Sequence, residues 1–148
     1  MEILNMKRLG MVLIPGLALL ILASCRKIPD SRSNCTLGGS ISAASNLNED
    51  TLLINNLLRE LKQLSEESKC TTTDIGKFVE FGENTCGGPI GYLAYNANSD
   101  SVCFLKKVAH FNLQHKALNK KYSLSYPCVI PKTPVSVICK NGHFELQY

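Results

Sequence analysis

Apolar side chains recur along this chain with two different periods, and each stretch of constant period predicts an element. Ile54, Leu57, Leu61 and Leu64 follow one another at 3, 4 and 3 residues, flanked by Leu53 and Leu58. That spacing stacks them on one face of a helix. The stripe covers only about two heptads, short of the three or four that a coiled coil sustains, so it predicts a helix facing a core. Asn48 can cap it, and Glu49 and Asp50 in the first turn suit the positive end of the helix dipole. A longer helix is expected from a cap at Ser99 or Asp100 to about Tyr122. Over that length Phe104, Val108, Phe111, His115, Leu118 and Tyr122 recur at 4, 3, 4, 3 and 4 residues. Lys106, Lys107, His110 and Lys121 fall on its other side, where a charged face is expected to be solvated. His115, set among the apolar residues of the stripe, reads as a hydrogen-bonded core histidine.

Between the helices the period shortens. Lys77-Phe78-Val79-Glu80-Phe81 mixes β-branched and aromatic residues in partial alternation and stops at Gly82, which predicts a short strand. Cys86-Gly87-Gly88-Pro89 must turn tightly, because adjacent glycines accept positive φ and Pro89 forbids a helix there. Residues 90–95 leave that turn extended. Near the end of the chain, residues 135–139 and 143–148 flank Asn141-Gly142, the pair that a type I′ hairpin turn prefers. Pro127, Pro131 and Pro134 keep the preceding segment irregular. The expected fold is α+β: two helices packed on a short antiparallel sheet, with a C-terminal hairpin, in one domain from residue 47 to residue 148. Residues 25–46, rich in Ser, Gly and Asn and carrying Arg26, Lys27 and Arg32, read as a flexible tether.

Ahead of the tether, Lys7 and Arg8 precede an apolar run from Leu9 to Ala23, interrupted by Pro15-Gly16. The run is too short for a bilayer span of roughly 20 residues and has the layout of a secretory signal. Leu22-Ala23-Ser24-Cys25 closes it and resembles the lipobox of bacterial lipoproteins. The resemblance implies a signal peptide over residues 1–24 and a mature chain beginning at Cys25, which carries a thioether-linked diacylglycerol and an acylated amino group. Each buried methylene adds about 0.8 kcal/mol of membrane affinity, so two or three palmitate-sized chains anchor stably. Arg26 in place of Asp after Cys25 resembles lipoproteins sent on to the outer membrane. The expected location is therefore lipid-anchored on the outer membrane, facing the periplasm or the surface.

Removing residues 1–24 from the 148 leaves 124, enough for one small domain and a tether. Lys7, Arg8 and Glu2 leave with the signal, so 14 basic residues face 11 acidic ones. So mild an excess argues against a nucleic-acid partner. Export into an oxidising compartment makes Cys35, Cys70, Cys86, Cys103, Cys128 and Cys139 read as three disulfides. Six cysteines admit about 15 pairings.

From Cys70 to Tyr148 the motifs resemble a family of small uncharacterised lipoproteins known mainly from Bacteroidetes. The shared features are a cysteine before a short strand, Cys86-Gly87-Gly88-Pro89 with Tyr92-Leu93-Ala94-Tyr95 behind it, and a lysine-rich helix ending near Lys120-Lys121-Tyr122. A cysteine before a proline-rich segment and Cys139-Lys140-Asn141-Gly142 complete the pattern. Ile90 stands where an aromatic residue is expected, and Cys35 and Cys103 are additional to a four-cysteine set. The resemblance implies a compartment and an architecture, and no activity.

An envelope hydrolase using Cys86 as nucleophile, with His110, His115 or His143 as base, needs a reduced thiolate. Disulfide pairing would remove it, which makes the hydrolase the second reading. No metal site is expected, since Cys139-x3-His143 lacks a second ligand pair. Gly87-Gly88 lacks the lysine and hydroxyl residue of a phosphate loop, and no cofactor is implied. The first reading is a noncatalytic binding or structural role, with the membrane as one partner through the lipid and an envelope or extracellular protein as another. Its candidate surface is Pro89, Ile90, Tyr92 and Tyr95, presented by a disulfide-held turn with little entropy left to lose.

The geometry of an antiparallel strand pair chooses among the disulfide pairings. If residues 78–81 lie antiparallel beside residues 135–138, Cys70 comes near Cys139 and Cys86 near Cys128. Cys35 and Cys103 are then left to join the tether to the start of the long helix.

Overall fold

A computed structural model describes residues 35–98, 101–125 and 127–148. The expected signal peptide, the expected lipidation site at Cys25, the expected tether up to residue 34 and the Ser99 or Asp100 cap lie outside these residues. The described elements are α1 (Leu47–Glu67), β1 (Gly76–Phe81), β2 (Gly91–Asn96), α2 (Ser101–Tyr122), β3 (Ser136–Lys140) and β4 (His143–Gln147).

The fold is α+β in three layers. β1 and β2 pair antiparallel, with Val79 opposite Leu93 and Phe81 opposite Gly91. One face of this ribbon carries Val79, Phe81, Leu93 and Tyr95 onto the helices. There they meet Ile54, Leu57 and Leu61 of α1 and Phe104, Val108, Phe111 and Leu118 of α2. Phe111 is wholly inaccessible and Leu61 is 1% exposed. The stripe on α1 is thus a core face, as its spacing predicts, although Leu64 at its end stays 37% exposed. The other face of the ribbon receives the β3–β4 hairpin. Phe78 and Tyr92 meet edge-on there with centroids 5.8 Å apart. At Gly76 a methyl group would lie 2.6 Å from the Val137 side chain, so only glycine lets the two ribbons approach this closely. The turn between β3 and β4 holds Asn141 at φ 52° and Gly142 at φ 78°, as an Asn-Gly hairpin requires.

Three sequence expectations are corrected. The cap of α1 is Asn46, two residues earlier than Asn48: its side chain accepts from the Glu49 amide while the Glu49 carboxylate accepts from the Asn46 amide. That reciprocal box satisfies two otherwise orphaned donors. It leaves Asp50 free to turn inward. The second correction is strand pairing. The ladder partner of β1 is β2, the strand adjacent in sequence, and β3 pairs with β4. Short connections favour such neighbours. The third correction concerns residues 35–46, which are a strap packed on α2 and not a flexible tether. An extended segment outside any sheet leaves its backbone groups unpaired, and here α2 side chains pair them. Lys107 donates to the Thr36 carbonyl, His110 Nε2 lies 2.9 Å from the Gly39 oxygen, and Gln114 Oε1 accepts from the Ile41 amide at 2.9 Å. The expected solvated face of α2 is therefore largely the docking edge for this strap, and Lys106 alone of its four named residues has no such contact to it.

At the end of the strap lies an ionic cluster built on the buried Asp50 carboxylate. Lys121 Nζ donates to the carbonyls of Ser42 and Ser45, both at 2.7 Å, and to Asp50 Oδ2 at 2.8 Å. The Tyr122 hydroxyl donates to the same Asp50 oxygen at 2.8 Å, and Asp50 is 2% exposed. Burial pushes the Asp50 carboxyl up, but hydrogen bonds from Lys121, Ser45 and Tyr122 outweigh it and hold the group below its ordinary 3.8. The Asp50 hydrogen bond in turn raises Lys121 above its ordinary 10.5. Both groups are charged at neutral pH.

The disulfides are Cys35–Cys103, Cys70–Cys139 and Cys86–Cys128, with Cα separations of 5.4, 5.8 and 5.8 Å. The pairs coincide with those drawn from the sequence, but β1 and β3 do not form the ladder on which that drawing rested. Cys70 reaches Cys139 because its amide donates to the Gly142 carbonyl at 3.1 Å and Lys69 bridges to His143, seating the chain on the hairpin turn.

Two measurements check this fold. Nonreducing peptide mapping yields only the three linkages above, and a Cys70–Cys86 peptide would contradict the layering. Lys121→Met lowers the denaturant midpoint because it takes the cation from the buried Asp50 carboxylate, and Asp50→Asn lowers it less because Lys121 is open to solvent. The double variant loses less than the sum of the two, since both remove the same interaction.

Candidate functional site

The segment that connects α2 to β3 must pass from the helix layer to the hairpin layer, and it does so as a proline-rich arch. Two anchors on the β1–β2 loop hold that arch. Cys86 bonds Cys128, and Asn84 Nδ2 donates to the Val129 carbonyl at 2.7 Å. Further along, the Tyr92 hydroxyl and Thr133 Oγ1 lie 2.9 Å apart. Asn84 also organises its own loop. Its amide donates to the Gly88 carbonyl at 2.9 Å, its carbonyl accepts from Gly87 at 3.0 Å, and its side-chain oxygen accepts from Thr85 at 2.9 Å. This closure requires φ of 89° at Gly87 and 79° at Gly88, where a residue with a side chain would be strained.

Beneath the arch is a pocket of about 420 Å³. Its α1 wall is Thr51, Ile54, Asn55 and Leu58, and its α2 wall is Phe111, His115 and Leu118. Ile90, Pro127, Val129 and Pro131 form the roof, with Asn84 at its root. No charged side chain lines it among the described residues. Thr51 and Asn55 are exposed and sit at the rim, whereas Phe111, His115 and Leu118 form a buried floor. The volume and the mostly apolar lining with a few polar groups are those of a small-molecule site.

His115 is the one titratable group in the wall. It is 7% exposed and stacks on Phe111 with centroids 5.5 Å apart. Its Nδ1 accepts the Glu83 amide proton at 3.3 Å, which places the ring proton on Nε2. Burial lowers its pKa below the ordinary 6.5, with the Glu83 carboxylate opposing, so the imidazole is neutral at neutral pH. The expected core histidine is also a pocket residue.

The sequence-derived surface does not stay together. Pro89 is half-buried beside the groove that holds Asn112 and Lys116, and Ile90 enters the pocket roof with 36% exposure. Tyr92 is 9% exposed and packs between the two ribbons. Tyr95 lies on the opposite face, against Phe104 at 5.5 Å between centroids. Strand alternation separates the two tyrosines by necessity, since residues 92 and 95 point to opposite faces. Both serve packing. Asn84, Phe111, Leu118 and the arch carry the pocket, and none was singled out for a site from sequence. The cue available was the Asn84-Thr85-Cys86 start of the turn, where an Asx side chain can order the backbone.

The nucleophile of the hydrolase reading, Cys86, is bonded to Cys128. Of the three histidines offered as its base, His110 holds the strap. His143 lies between the Glu66 carbonyl at 3.0 Å and Lys69 Nζ at 3.0 Å. Cys139 of the Cys-x3-His spacing is bonded to Cys70. Ser45 Oγ lies 3.1 Å from Lys121 Nζ, the spacing of a serine–lysine pair, but Asp50 keeps that lysine protonated and unable to take a proton.

Among the described residues no cluster of His, Cys, Asp and Glu is arranged to hold a metal, and no helix is long and apolar enough to cross a membrane. Compared with protein-family models, curated proteins and solved structures, the chain finds no match.

The buried neutral His115 gives the site a pH signature. The unfolded chain takes up a proton near 6.5, while the folded imidazole resists until lower pH, so this contribution to stability is complete above 6.5 and is lost as pH falls through the folded value. Thermal unfolding midpoints measured from neutral to mildly acidic pH therefore fall, and His115→Gln flattens that part of the slope.

Proposed function

We propose that this chain is an exported lipoprotein, held on the bacterial envelope by lipid on Cys25, whose domain has a noncatalytic binding role. The observation that carries the binding role is the pocket under the covalently anchored arch. Its roof is fixed before any ligand arrives, so little ordering entropy opposes binding. Export is supported by the use of all six cysteines after residue 25 in disulfides, which persist in oxidising compartments. Lipidation is supported by the lipobox Leu22-Ala23-Ser24-Cys25, and outer-membrane placement by Arg26. The likeness of segment 86–95 to the small Bacteroidetes lipoproteins belongs to this reading, as does an envelope or extracellular protein partner.

Metabolic palmitate labelling tests the anchor. The wild-type chain incorporates label and matures to a smaller form, and Cys25→Ala abolishes both. A Cys25→Ala protein that still takes label and matures at the same size overturns the lipoprotein reading. A thiol count tests the binding role against its runner-up. Alkylation of unreduced mature protein modifies no cysteine, whereas a hydrolase working through Cys86 must show one.

A further inference from the structure

The pocket does not end at the α1 wall. Asn55 and Leu58 are shared with a second, shallower groove that continues along α1 past Arg59 and Lys62 to Gln63 and Glu66. Arg59 lies one helical turn beyond Asn55 and Lys62 one turn beyond Leu58, so the uncharged rim of the pocket runs directly into two cations. Both cations are exposed, and no ion pair among the described residues uses either of them. Four lysines elsewhere are ion-paired: Lys107 to Glu60, Lys116 to Glu83, Lys121 to Asp50 and Lys140 to Glu145. The single acid of the groove, Glu66, lies one helical turn beyond Lys62 but makes no ion pair with it among the described residues, so the groove carries two cations against one carboxylate. An apolar cavity without charge thus opens onto a shelf with two unpaired positive side chains. A ligand that satisfies both parts has an apolar chain and an acidic head at one end.

We propose that this composite site binds a single-chain anionic lipid, with its acyl chain beneath the arch and its acidic head on Arg59 and Lys62. The chain displaces water from Leu58, Ile90 and Val129 and from the small accessible edges of Ile54 and Leu118, with the inaccessible Phe111 closing the floor behind them. The head remains near solvent, where an anion keeps most of its hydration and adds Coulomb attraction from two cations. An uncharged chain of the same length would forgo the shelf, and a cationic amphiphile would be repelled by it. This inference rests on the binding role proposed above and not on the Cys25 anchor.

Photolabelling tests it on the full-length protein in washed membranes without nucleotide, where added fatty acid is not attached metabolically. The probes are palmitate carrying a diazirine in its chain and the matching uncharged alcohol. The palmitate probe is expected to crosslink peptides containing residues 51–58, 111–118 or 127–131. Val129→Trp, at a position 70% exposed and therefore tolerant of the change, is expected to fill the roof and remove most of that labelling. Arg59→Gln with Lys62→Gln is expected to weaken labelling by palmitate roughly two- to fivefold, the size of effect exposed ion pairs give, and to leave the alcohol unaffected. Equal labelling by the two probes, or no response to the double substitution, overturns the assigned ligand class while leaving a binding role standing. Absence of crosslinks at these peptides with either probe overturns both. Labelling that appears only in the Cys25→Ala protein also overturns the proposal, because it shows the pocket already filled by the chain's own lipid.

Discussion

The ammonium of Lys121 ties together three parts of the chain that are far apart in sequence. It bonds two carbonyls at the end of the strap and the Asp50 carboxylate in the first turn of α1, all from the last turn of α2. Tyr122, next along α2, donates to the same carboxylate, so Asp50 is satisfied from two neighbouring side chains. A buried carboxylate is tolerable only on such terms, because an unpaired charge away from water is far costlier than a paired one. The consequence is geometric. With Asp50 fixed against Lys121, the N-terminal half of α1 cannot slide along α2, and the apolar stripes of the two helices stay in register over Phe111 and Leu61.

That register sets the width of the gap between the helices on the side where the pocket lies. Ile54 and Leu58 face Phe111 and Leu118 across it. Nothing in either helix closes the gap, since both apolar faces are directed to the β1–β2 ribbon. Closure comes from topology. α2 sits on one face of that ribbon and the β3–β4 hairpin on the other, so the connecting chain must round its edge. Prolines at 127, 131 and 134 keep the crossing extended, and the bond from Cys128 to Cys86 pins it to the neighbouring loop. The Cys35–Cys103 bond does the same for the strap at the other end of α2. Each disulfide therefore fastens an irregular segment that the sheets and helices leave without partners, which is where a small domain gains most from covalent closure.

The pocket that results is mostly apolar, and no charged side chain lines it among the described residues. The two polar contacts with a nucleophilic look are spent on structure: Cys86 in its disulfide, and Ser45 beside a lysine that its carboxylate keeps charged. His115 is kept neutral by burial and oriented by a backbone amide. In the proposed site such a wall selects by shape and by the absence of charge, and charge recognition falls to the solvent-exposed Arg59 and Lys62 on α1.

The local elements were legible in the sequence because each is written in nearby residues. The 3-4 spacing of Ile54, Leu57 and Leu61 sets α1, the longer stripe from Phe104 to Leu118 sets α2, and Asn141-Gly142 sets the hairpin. The cysteine pairs were reached as well, though through a β1–β3 ladder that does not form. The two strands meet face to face at Gly76 and Val137, and that coarse ordering suffices to bring the right cysteines together. What the sequence left hidden depends on which element lies against which. Lys107, His110 and Lys121 look like a solvated face until the strap is seen to present its carbonyls to them. Tyr92 and Tyr95 look like one surface until the ribbon is found covered on both faces. The pocket has no motif at all, because its walls come from α1, α2 and the arch at once, and side chains so distant in the chain share a cavity only through the packing that the Asp50–Lys121 pair and the Cys86–Cys128 bond impose.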